Sequence, residues 1–107
     1  MKLGGYMKEL YSLFSNEITV GTTKIKGELK ILGNIEENWM RLIFYFDEST
    51  QKVPLIIQLS DGNDKFDYLC SPDKNENTVC SSMFEPEFLM SKGFNVVNIK
   101  PLVTMEI

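Results

Sequence analysis

No histidine occurs in the 107 residues, arginine occurs once, as Arg41, and alanine does not occur. The first absence removes the side chain that titrates near neutral pH and serves most often as general base and metal ligand. A chain without it works by binding, or by carboxylate chemistry alone. Cysteine is limited to Cys70 and Cys80. Two cysteines ten apart, with no second pair and no histidine, cannot build an ordinary zinc site. No stretch approaches the ~20 apolar residues of a transmembrane helix. The start, Met1 to Glu9, is broken by glycines and charges and carries no signal-peptide core. The expectation is a cytoplasmic protein with free thiols and no membrane partner.

What is present suits a sheet. Hydrophobic residues make up 43% and aromatics 11% of the chain. These supply a core for one domain spanning 1–107. Alanine, the best helix former, is missing, while β-branched and aromatic residues are plentiful. The net charge of −4 is uneven. Residues 1–35 hold five lysines against three glutamates, and residues 61–87 hold seven carboxylates against Lys65 and Lys74. An acidic field repels nucleic acid and favours a basic partner, although it also serves simply to keep a small domain soluble.

Along the chain, Met7, Leu10, Tyr11 and Phe14 follow helical spacing and predict an amphipathic helix over residues 6–15. From residue 18 the period becomes two. Thr23 to Ile31 reads as a half-buried strand whose outer face carries Lys24, Lys26, Glu28 and Lys30. Met40, Leu42, Phe44 and Phe46 form an apolar row in a central strand covered on both faces; Trp39, Arg41, Ile43 and Tyr45 form its other row. Val53, Leu55, Ile57 and Leu59 alternate inward, with Pro54 marking a strand start or edge. Phe66, Tyr68 and Cys70 give a further strand, and residues 78–84 another. Cys70 and Cys80 flank the polar stretch 71–77 and could face each other across a hairpin. Glu85 to Gly93 predicts a second short helix, with proline in its first turn, lysine in its last and glycine ending it. In the terminal strand Val97, Ile99, Val103, Met105 and Ile107 share one phase, and Pro101 marks a bulge. The predicted fold class is α+β: a mostly antiparallel sheet of about five or six strands, an N-terminal helix and a short helix before the last strand.

The catalytic candidates are weak. Asp61 and Asn63 fit a calcium loop, but Lys65 takes the third ligand position and Phe66 replaces the glycine. The pairs Glu36 with Glu37, Asp47 with Glu48, and Glu85 with Glu87 lie in polar turns, where nothing desolvates them into an acid–base couple. Neither cysteine has a histidine base. No cofactor or metal is expected. The residues assigned to partner binding are Asp61, Asp64, Asp67, Tyr68, Asp73, Glu76, Glu85 and Glu87. In them loop carboxylates adjoin aromatics, the combination that steers and holds a basic protein.

In this general character the chain resembles the small acidic immunity proteins that bacteria pair with secreted toxins, including those of contact-dependent growth inhibition. The likeness is one of kind, carried by the compact acidic domain, the missing catalytic set and the region Asp61 to Glu87. It implies a non-catalytic inhibitor of a cognate basic toxin, such as a nuclease. Phage-encoded inhibitors of bacterial defence proteins look similar. Two further readings stand beside it: a small-ligand or accessory domain with a groove lined by Trp39 and Tyr45, and a homodimer joined through Pro54 and Ile56 or through the terminal strand.

Overall fold

In a computed structural model that describes residues 8–14, 18–20, 23–48, 52–74 and 77–102, the chain is almost entirely antiparallel sheet. The strands are β1 (Lys8–Phe14), β2 (Ile18–Val20), β3 (Thr23–Ile25), β4 (Gly27–Asn34), β5 (Trp39–Phe46), β6 (Leu55–Ser60), β7 (Lys65–Pro72), β8 (Thr78–Cys80) and β9 (Asn95–Pro101). Seven form one sheet in the order β1-β4-β5-β8-β7-β6-β9, and β2 and β3 form a separate ribbon. The expected α+β class is therefore corrected to all-β. Among the described residues the only helical piece is a 3₁₀ turn, Met90–Lys92.

The N-terminal helix over 6–15 is not formed, because Lys8–Phe14 is β1, paired with β4. Its register shifts between Glu9 and Tyr11. Tyr11 pairs with Ile31 and Phe14 with Glu28, so residues that helical spacing would set together take alternate register positions along the strand. A ten-residue helix without a strong nucleus is marginal, and a ladder to an eight-residue strand outweighs it. The second helix fails for a different reason. Phe88 and Met90 are both buried in the core, with exposed Leu89 extended between them. Residues two apart lie on one side of an extended chain and on nearly opposite sides of a helix. Residues 84–94 therefore run as a strap over the sheet, and Gly93, at φ 96°, turns the chain into β9.

The core follows the alternation in the sequence. Leu29 and Ile31 of β4, Met40, Leu42, Phe44 and Phe46 of β5, and Leu55, Ile57 and Leu59 of β6 join Cys70, Val79, Phe88 and Met90 in one buried cluster. Val53, Phe66, Tyr68, Phe84, Phe94, Val96 and Ile99 pack against it. The outer row of β5 departs from expectation. Trp39, Arg41 and Ile43 are half-buried and Tyr45 is exposed, so this strand is sealed on one face only. The predicted single strand over 23–31 divides at Lys26, with β3 turning to β2 and β4 to β1 and β5. Gly27 opens β4 opposite Phe46 of β5. A β-carbon there would overlap the Tyr45 carbonyl oxygen and the Phe44 ring. In β9 the pairing shifts between Gln58 and Leu59, which places the bulge at Val97 rather than at Pro101. Val97 consequently points outward while Val96 and Ile99 pack inward. Val103, Met105 and Ile107 lie outside the described residues.

Candidate functional site

The structure disperses the acidic residues that sequence reasoning grouped. Asp61 and Asp64 sit in the turn between β6 and β7. There Asp61 acts as a turn former: its Oδ1 accepts the backbone N–H groups of Asn63 and Asp64, each at 2.8 Å. Those two bonds hold its carboxyl below the usual carboxylate range. Asp67 lies on the outer row of β7 and accepts the side-chain amide of Gln58, directly across the ladder, at 2.9 Å. Tyr68 belongs to the opposite, inner row. Asp73 lies beyond the far end of β7, up to roughly 30 Å from Asp64 at about 3.3 Å per residue. Its backbone carbonyl accepts the Lys52 ammonium. Glu76 lies outside the described residues. Only Tyr68, Glu85 and Glu87 are brought together.

Their meeting place follows from a split in the sheet. β7 pairs with β6 from Lys65 to Cys70, but with β8 only at Ser71 and Pro72. Past Cys80 the chain stays with β5: the Ser81 N–H donates to the Leu42 carbonyl, and Phe84 and Met40 exchange both backbone bonds at 2.9 Å. A wedge thus opens between β7 and residues 81–87. The Tyr68 and Phe84 rings stack across it at 4.4 Å with their planes 26° apart. Tyr68 donates its hydroxyl to Glu87 Oε1 at 2.5 Å. Burial, and then the bond to the Glu87 carboxylate, raise the Tyr68 hydroxyl well above the ordinary tyrosine range. The wedge holds about 230 Å³ between Tyr68, Leu69, Ser81, Ser82, Phe84, Glu85 and Glu87.

Phe84 and Glu85 also line a second hollow, of about 300 Å³, with Trp39 and Met83. The two hollows adjoin at Phe84 and Glu85, and together they are called the groove below. The Trp39 indole N–H donates to Glu37 Oε1 at 3.0 Å, which stations a third carboxylate at this end. Leu69 and Met83 are 50% and 57% exposed. Sequence reasoning places Trp39 in a groove but sets Tyr45 beside it, and Tyr45 stands six residues along β5, about 20 Å away. That reasoning missed Asn38, at φ 58° in the turn before β5. The Asn38 amide donates to the Phe88 carbonyl at 3.0 Å and accepts the Met90 N–H at 2.7 Å, which clamps the strap that carries Glu85 and Glu87.

Arg41 is committed to structure, donating to the Ser81 carbonyl at 3.1 Å and to Cys80 Sγ at 3.2 Å. Cys80 lies across from Ser71, one step out of register with Cys70, so the two thiols alternate between faces and are free. Burial pushes the Cys70 thiol up to about 12. Among the described residues no group of three potential metal-ligating side chains gathers, and no helix is long and apolar enough to cross a membrane. The chain matches no protein-family model, no curated protein and no solved structure.

Proposed function

We propose that the chain is a non-catalytic binding protein of the immunity or antitoxin kind, which neutralises a basic protein partner by covering part of it with the acid-rimmed groove. The observation that carries the reading is the composition of that groove. Trp39, Tyr68, Leu69, Met83 and Phe84 offer apolar and aromatic surface, bordered by Glu37, Glu85 and Glu87. Half-buried aromatics beside carboxylates suit a partner that presents lysine or arginine on an apolar base: the charges guide the encounter and the desolvated rings hold it. Asp64 and Asp73 add long-range attraction without belonging to the contact.

The test begins with proteins retained by the immobilised chain at low salt. The expected partner is basic, is released as salt rises, and loses its toxicity in cells that also make this chain. A retained partner that is acidic or insensitive to Glu85→Lys with Glu87→Lys would count against the groove. A small molecule that raises the melting temperature by seating at Trp39, with no protein partner retained, would favour the ligand-binding reading instead.

A further inference from the structure

The split in the sheet leaves β7 with an open side. From Lys65 to Cys70 its backbone is paired to β6 on one flank. On the other flank the ladder stops at Ser71, and residues 81–84 have turned their backbone to β5. In an antiparallel strand alternate residues direct N–H and C=O to each side. About half of the peptide groups of Lys65–Cys70 therefore face the wedge, and none has a backbone partner there among the described residues. This open stretch borders the groove, whose floor is the Tyr68–Phe84 stack.

We propose that the groove takes its partner by strand addition: an extended, lysine- or arginine-bearing segment of the basic protein pairs with the open flank of β7. The inference rests on the groove being the binding surface and specifies how a partner enters it. An unpaired strand edge is a template for an incoming strand, with backbone bonds supplying affinity and side-chain surroundings supplying selectivity. Here the surroundings favour a cationic segment. Asp67 stands on the outer face of β7, Glu87 stands over the inner face at Tyr68, and Glu85 lies across the wedge. Exposed Leu69 gives the incoming strand an apolar neighbour on the outer face. A strand alternating basic and aliphatic residues, with its basic row on the inner face, brings lysine to Glu87 and Glu85 and sets its aliphatic row beside Leu69, while Asp67 adds only to the field.

The probe is a capped hexapeptide alternating lysine and valine, added to the full ¹⁵N-labelled chain, with backbone amide exchange read at Lys65 to Cys70. The controls are the same peptide N-methylated at alternate backbone nitrogens, and its glutamate counterpart. Wedge-facing amides should exchange quickly in the free protein and slow about tenfold or more with the basic peptide. Neither control should slow them. Strand addition is overturned if those amides are already protected without peptide, if the basic peptide leaves them unprotected at millimolar concentration, or if the N-methylated peptide protects them equally. The wider groove reading fails separately, when the basic peptide perturbs no resonance of Trp39, Tyr68 or residues 83–87. Perturbation there without amide protection leaves the groove standing and removes only the strand. Dimerisation of the chain with protection of the same amides would assign the open flank to a second copy and overturn the proposal.

Discussion

Gly27 and Cys70 show how much single positions carry. At Gly27 any side chain must displace the β5 backbone rather than a flexible tip. Gly27→Ala is expected to cost about 1–3 kcal/mol, read as a lower urea midpoint with an unchanged slope. Gly62, at φ 100° with open space around it, makes the contrast: alanine there costs only backbone strain, roughly 1–2 kcal/mol. Cys70 sets a limit at high pH. Its thiol ionises near 9 when unfolded and is pushed up to about 12 when folded. The folded state retains a proton that the unfolded chain releases, so this stabilisation is complete below pH 9 and is lost as pH climbs toward 12. Tyr68 is shifted in the same direction and adds to the loss in alkali. Chemical denaturation at pH 8, 9.5 and 11 should give steadily falling stability. In Cys70→Val the decline should be shallower, and an equal decline in both proteins would show that other groups are responsible.

At the scale of elements, the strap depends on one amide. Asn38 supplies two hydrogen bonds to residues 88–90 and occupies a left-handed turn position that asparagine tolerates well. Asn38→Gly keeps the turn and removes the clamp. It should cost about 1–3 kcal/mol for two lost bonds. It should also speed exchange at the Met90 amide and open residues 84–94 to proteolysis while β4 and β5 stay protected. The central strands were legible because alternation and burial coincide: every even residue from Met40 to Phe46, and every odd one from Leu55 to Leu59, is in the core. The errors came where a local pattern has two physical origins. In β1 apolar residues at helical spacing are taken up by a ladder to β4, and in the strap a proline, a lysine and a glycine imitate a helix's punctuation around an extended plug. The bulge at Val97 reversed a phase that no residue type announces. The groove was only half legible. Tyr68, Glu85 and Glu87 could be singled out as charged or aromatic loop neighbours, whereas their union with Trp39 and Met83 depends on the course of residues 81–84 along β5, a long-range pairing that periodicity does not encode.

For the molecule as a whole, the net charge matters less than its placement. Carboxylates at Asp47, Asp64 and Asp73 are spread around the sheet, while Glu85 and Glu87 meet at the Tyr68–Phe84 wedge and Glu37 stands beside Trp39. A general field and a contact site respond differently to mutation. Removing distant charge slows the encounter and alters salt dependence, whereas removing charge at a desolvated contact accelerates release. Two double variants with the same charge change separate them: Glu85→Lys with Glu87→Lys in the groove, and Asp47→Lys with Asp64→Lys away from it. The deciding measurement is the dissociation constant of the captured basic protein for the wild-type chain and for both variants at physiological salt. Groove reversal should weaken binding about 100-fold or more, as expected of hot-spot contacts, while remote reversal should change it only a few-fold. Equal weakening by the two variants, or unaltered affinity in the groove variant, would contradict a contact site in the split between β7 and residues 81–87.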